Sequence, residues 1–217
     1  LTSVMRPFHL GQIHAFLREG EVDENSFELS EEKGIDLIVM GTFGINGLKD
    51  RIWGSKTAGL TGKTNVPVMV IPYEYNWKVP EKILLATSFF EEDRNVLEPI
   101  TGLTDAFKAT LHTIIFTDED TADAALFLER GMNMADYERK LKKLLNTESI
   151  ITGHLSGSKF EDTLQDYIKN NDIDILTMIS YQRSLWDRIF HPSVTRRMSY
   201  HTTIPLLVIP ANKKGEE

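Results

Sequence analysis

The residues whose spacing suggests chemistry are glycines. Gly41-Thr42-Phe43-Gly44 is followed, after nine residues, by Gly54-Ser55-Lys56. The segment leaves the apolar run Leu37-Ile38-Val39-Met40 and opens into a helical stretch. Ligands of parallel α/β sheets sit at the carboxyl ends of strands, and helix N-termini present unpaired N–H groups to anions. Gly41 and Gly44 permit positive φ and close approach of the backbone to a phosphate. The Ser55 hydroxyl and the amides around it would donate to phosphate oxygens, at roughly 1.5–3 kcal/mol for each hydrogen bond to a charged group. The chemistry is polyanion binding. No catalytic residue is expected, because no nucleophile has an evident base. The six histidines (His9, His14, His112, His154, His191, His201) have no metal-ligand spacing, so no metal site is expected.

Other signals have plainer readings. Thr57-Ala58-Gly59-Leu60-Thr61-Gly62-Lys63-Thr64 ends like a phosphate-binding loop, but Thr57 stands where glycine is needed and a strand follows rather than precedes it. It reads as a helix-to-strand connection. Glu31-Glu32 and Glu91-Glu92-Asp93 read as solvated faces, and Trp53 and Trp186 as packing residues. The basic run Arg139-Lys140 with Lys142-Lys143 fits a solvated helix end as well as a partner site.

The bounds are those of an ordinary globular protein. The 217 residues carry 24 Lys+Arg against 32 Asp+Glu, a net charge of −8, and 41% are hydrophobic. That length suits one large domain or two small ones. With no cysteine, disulfide scaffolds, thiol nucleophiles and Cys-ligated metals are excluded. The acidic balance argues against sequence-independent nucleic-acid binding. Apolar runs fall short of the roughly 20 residues a spanning helix needs, and no basic region with an apolar stretch and a cleavage site follows Leu1. A cytoplasmic protein is the expectation.

The elements that must position the glycine loop come in a repeat. Val66-Pro67-Val68-Met69-Val70-Ile71-Pro72 and Ile204-Pro205-Leu206-Leu207-Val208-Ile209-Pro210 end alike, 138 positions apart. Without a gap, that offset also pairs Ser55 with Ser193, Met40 with Met178, and Ile35-Asp36 with Ile173-Asp174. Matching prolines on both sides of a matching strand favour a repeat over chance likeness of two βα segments. The second copy, 82–212, predicts strands at 82–87, 111–117, 149–154, 173–180 and 205–209. Helices are predicted at 95–108, 121–146 (interrupted at Gly131), 160–170 and 185–200. Such alternation makes an open parallel sheet with helices on both faces. The first copy, 1–73, predicts a strand at Ile13–Arg18, a helix over Val22–Lys33 closed by Gly34, and strands at 36–40 and 68–71. Residues 74–81 read as a linker and 213–217 as a polar tail. Carried back by the offset, Lys82 falls ahead of Leu1. A copy without its central strand leaves an apolar edge unpaired, so roughly fifty further residues, or another chain, are expected to fill it.

Gly41-x-x-Gly44, nine residues and Gly54-Ser55, set in Gly34-Ile35-Asp36-Leu37-Ile38-Val39-Met40-Gly41 and followed by Asn65 to Pro72, resembles the ATP-binding branch of the universal stress proteins. The resemblance spans both copies. It implies five-stranded parallel sheets of order 3-2-1-4-5, pairing of the two units through their last strands, and a possible homodimer. It further implies ATP or a related adenine nucleotide held by Gly41, Gly44, Gly54 and Ser55, with Met40, Thr42 and Lys56 beside them. In the second copy Ile179, Gln182 and Pro192 replace the glycines, and Ser88 stands where the family has an aspartate. Pro192 lacks a donor N–H, so this copy is expected to serve as a degenerate pseudo-dimer partner. The alternatives are an interaction scaffold without nucleotide and a slow nucleotide hydrolase.

Overall fold

The computed structural model describes residues 13–41, 64–72, 75–181 and 203–211. Seven strands form one sheet: β1 (Ile38–Gly41), β2 (Val68–Ile71), β3 (Lys82–Thr87), β4 (Thr110–Asp118), β5 (Ile150–Gly157), β6 (Ile175–Tyr181) and β7 (Leu206–Ala211). The helices are α1 (Val22–Lys33), α2 (Arg94–Phe107), α3 (Ala124–Leu145) and α4 (Phe160–Asn170).

The strand order is β1-β2-β7-β6-β3-β4-β5. Every pairing is parallel except β2 with β7, which run antiparallel with Met69 opposite Leu207. In order of appearance, β3 to β7 therefore lie 3-2-1-4-5, as the resemblance implies. The last strands of the two copies, β2 and β7, pair with each other as the resemblance implies, so the described strands make one continuous sheet of seven.

Strand residues alternate between two cores, because successive side chains point to opposite faces. Ile83 and Leu85 of β3 pack with Leu97 and Ile100 of α2 and Tyr137 and Leu141 of α3. Leu84 and Ala86 pack on the other face with Leu164 of α4, and Phe27 of α1 lies against the same cluster. Both faces are thus covered, which is why β3 is an unbroken apolar run rather than an alternating one.

Helix ends follow local chemistry. The Asp93 and Asp123 carboxylates accept from Asn95 N and Leu126 N and so start α2 and α3. Gly34 closes α1 at φ 59°, a left-handed turn that glycine adopts at least cost. Two expectations fail. α3 runs unbroken through Gly131, since one glycine costs a 22-residue helix only about 1 kcal/mol. Ile13–Arg18 is not a strand: no described strand offers it a ladder, and Ile13 and Leu17 are exposed.

Thr113 and Thr177 sit either side of Leu85 in the register, fully buried, with hydroxyls that lack a hydrogen-bond partner among the described residues. A buried unsatisfied hydroxyl costs about 1 kcal/mol or more. Thr113→Val and Thr177→Val should each stabilise the fold by about 1 kcal/mol and raise the melting temperature by about 2–4 °C, readable by calorimetry.

Candidate functional site

The glycine segment begins where β1 ends. Met40 pairs with Val70 and Gly41 with Ile71, and Met40 packs against the cluster that contains Val68 and Val70. Gly41 is exposed at the carboxyl end of a parallel strand, and a Cβ built on it meets nothing within 4 Å among the described residues. Gly41 is still in the ladder with Ile71 and keeps a strand conformation, without the positive φ that its residue type permits. Thr42, Gly44, Gly54, Ser55 and Lys56 lie outside the described residues, as do Trp53, Trp186 and the degenerate positions Gln182, Pro192 and Ser193. Of the P-loop-like run, Thr64 is described. Its hydroxyl accepts from Val66 N at 3.0 Å in the turn before β2, as in a helix-to-strand connection.

The strand order reverses between β3 and β6, and the crevice of an open α/β sheet opens at such a switch point. On the β4 side of β3, the strand ends are tied together by a side chain. Arg130 of α3 donates from Nη2 to Ser88 O at 2.6 Å, and from Nη1 to Phe116 O at 2.8 Å and Thr117 Oγ1 at 2.6 Å. The guanidinium thereby spans the ends of β3 and β4. Ser88, at the position where an aspartate is expected, contributes its carbonyl. Burial lowers the Arg130 pKa from its ordinary value, but an arginine stays charged. Thr117 Oγ1 also lies 2.8 Å from His154 Nε2, and the His154 ring leans on Phe127 at 4.8 Å between centroids. Burial, with Arg130 nearby, pushes the His154 pKa down, which favours a neutral ring accepting from the Thr117 hydroxyl.

The loop after β3 is held as firmly. Thr87 Oγ1 accepts from Phe89 N at 3.3 Å, Glu91 Oε1 accepts from Asp93 N at 2.6 Å, and the Tyr137 hydroxyl donates to Glu91 O at 2.9 Å. Arg130 and Tyr137 escape a sequence reading centred on glycines, yet a signal for Arg130 existed. It falls in phase with the apolar stripe Met134, Tyr137, Leu141, and a charge on a buried stripe needs a polar partner across the interface. His112, the other buried histidine, meets Tyr167 Oη at 3.0 Å through Nδ1, and burial lowers its pKa. Among the described residues no group of three or more His, Asp or Glu side chains is arranged to hold a metal. No described helix is long and apolar enough to cross a membrane.

A doubly wound, mostly parallel α/β sheet, with a glycine at the carboxyl end of one strand and Arg130 spanning the ends of two others, defines the class of protein. The universal stress protein family model matches residues 9–72 and 80–210, and the chain belongs to that family. It is 38% identical over 48 residues to a universal stress protein of Methanocaldococcus jannaschii, a match spanning 22% of this chain and 30% of the relative. Among solved structures, a universal stress protein from Archaeoglobus fulgidus aligns with a TM-score of 0.59 at 18% identity, covering 87% of this chain and 64% of that one. A putative universal stress protein from Pseudomonas aeruginosa aligns with a TM-score of 0.62 at 16% identity, covering 88% of this chain and 69% of that one. The chain thus spans less than two thirds of the length of the first two relatives.

Proposed function

We propose that this universal stress protein is a cytoplasmic regulatory module that binds ATP or a related adenine nucleotide through residues 41–56. In this reading it consists of a nucleotide-holding first unit (1–73), a linker (74–81), a degenerate second unit (82–212) and a polar tail (213–217). Gly41, Gly44, Gly54 and Ser55 hold ribose and phosphates, with Met40, Thr42 and Lys56 alongside. Turnover, if present, is slow, since the segment supplies phosphate donors but no base to activate water. The observation that carries the reading is Gly41 itself, exposed at the carboxyl end of parallel β1, with none of the described residues within 4 Å of a Cβ built on it. The assignment of the second unit as a partner rests on Ile179, Gln182 and Pro192 at its glycine positions.

A thermal-shift titration tests the proposal. ATP at 100 times its dissociation constant should stabilise the protein by about 2.7 kcal/mol, with one equivalent bound per chain. Gly54→Asp, which sets a carboxylate against the phosphates, should abolish the shift while leaving the melting temperature without ligand within a few degrees. No shift in the unmodified chain, or two equivalents bound, overturns the reading; the first outcome favours a scaffold.

A further inference from the structure

α3 is the longest described helix, with 22 residues, yet only Tyr137 and Leu141 on it are buried. Residues 124–135 hold no buried residue at all. On the sheet side, Arg130 bonds to β4, and Met134 packs with Tyr137 and Leu141 against the core. On the opposite side stand Ala125, Leu128, Met132 and Ala135, all exposed, with Leu128 at 60% and Met132 at 81%. Their spacing of three, four and three places them in one row along the helix. A solvated helix face carries polar residues in that row. An apolar row at this spacing is the seam of two helices packed along their length.

Charge is segregated along the same helix. Asp118, Glu119, Asp120, Asp123 and Glu129 lead into its first half, and no Lys or Arg lies between 118 and 129. Arg139, Lys140, Lys142 and Lys143 crowd its second half, with no acidic residue between 139 and 145. Asp136, Glu92 and Glu138 meet Arg139, Lys140 and Lys142, whereas Lys143 is exposed with no ion pair among the described residues. A second α3 laid parallel sets like halves together. Laid antiparallel, it sets acidic half against basic half twice over, as a two-fold axis requires of one patch serving both partners.

We propose that the outward face of α3 docks a second copy of this chain, helix antiparallel to helix, with Leu128 and Met132 in the seam. This surface is separate from the pairing of β2 with β7. α3 packs beside β4 and β5, at the end of the strand order away from β1 and β2. A seam of three turns is small beside the roughly 1,200–2,000 Å² of a standard interface, so the dimer is reversible and concentration-dependent. Its ionic part weakens as salt shortens the Debye length.

Sedimentation equilibrium of the 217-residue chain tests this. A monomer–dimer equilibrium is expected, weaker in high salt. Met132→Glu puts a carboxylate into the seam and should weaken association about tenfold or more. Because Met132 is solvated in the monomer, the melting temperature at dilute concentration should not change. Two charge variants fix the direction. The Asp120→Lys/Glu129→Lys chain and the Arg139→Glu/Lys143→Glu chain should each remain monomeric alone and dimerise when mixed, since only antiparallel helices bring the altered halves together. A chain that stays monomeric up to submillimolar concentration overturns the proposal. So does a dimer that Met132→Glu leaves intact, or a pair of charge variants with no preference for each other. None of these results depends on whether nucleotide binds.

Discussion

Asp174→Ala is expected to destabilise the protein by about 3 kcal/mol, within the range for removing one partner of a buried, hydrogen-bonded charge. Asp174 is 2% exposed, at the start of β6, and it ties β6 to the start of β3 in the middle of the sheet. Most of the loss comes from the Glu81 and Lys82 amides, which lose their carboxylate acceptor. Lys78 contributes less, because its side chain is 60% exposed and water screens the pair. Asp174→Asn keeps an acceptor for the amides and should cost less than the alanine variant. Urea unfolding with an unchanged slope would measure both; a loss under 1 kcal/mol for alanine would show that the clamp contributes little.

The same group predicts acid behaviour. Burial alone pushes the Asp174 carboxyl up, but the Lys78 hydrogen bond and the two amides outweigh it and hold the pKa below its ordinary 3.8. The unfolded chain therefore binds this proton more readily than the folded one. The contribution is fully present above pH 3.8 and is lost as pH falls through the lower folded value. Asp174→Ala should flatten that part of the stability profile.

The second large effect is at Tyr137. Its ring is 1% exposed and meets Phe90 edge-on at 5.0 Å, and its hydroxyl reaches Glu91 O in the loop after β3. Tyr137→Ala should cost about 3–5 kcal/mol, as for other large aromatic truncations in cores. Tyr137→Phe keeps the ring and should cost about 1 kcal/mol, the net worth of one hydrogen bond whose acceptor is then unpaired. Denaturant unfolding separates the two. A phenylalanine variant as unstable as the alanine one would mean that the hydroxyl, not the ring, anchors the loop. Burial also raises the Tyr137 pKa well above 10.0, so its contribution is present below pH 10 and declines as pH rises beyond it.

Several elements are legible residue by residue. Val22–Lys33, Val68–Ile71, Lys82–Thr87 and Phe160–Asn170 appear with the bounds that local signals predict. In each case the signal is local: a left-handed glycine closes α1, turn residues flank the apolar run of β3, and the acidic residues of the first turn suit the N-terminus of α4. Ile13–Arg18 misleads for the opposite reason. A strand is completed by its neighbour, and an apolar run without a partner in register does not become one. Gly131 misleads because a glycine's cost is small beside the burial of Tyr137 and Leu141 on the same helix.

Of the proposed nucleotide site, the motif and the strand that delivers it were readable, and Gly41 stands where that strand ends. Residue type shows that a glycine is permitted a left-handed turn, and the backbone shows that none occurs at Gly41.

The order of residues by itself determined the repeat, the alternation of strands and helices, and the family, since each rests on periodicity or spacing along one chain. Tertiary structure decided that β2 and β7 fuse the sheet into one. It also decided that Arg130 covers the ends of β3 and β4, and that Asp174 and Asp36, equal in sequence, stand in unequal surroundings. These are contacts between segments far apart in the chain. Their energies depend on which buried amides and carbonyls lack another partner, a quantity that exists only once the backbone has closed around them.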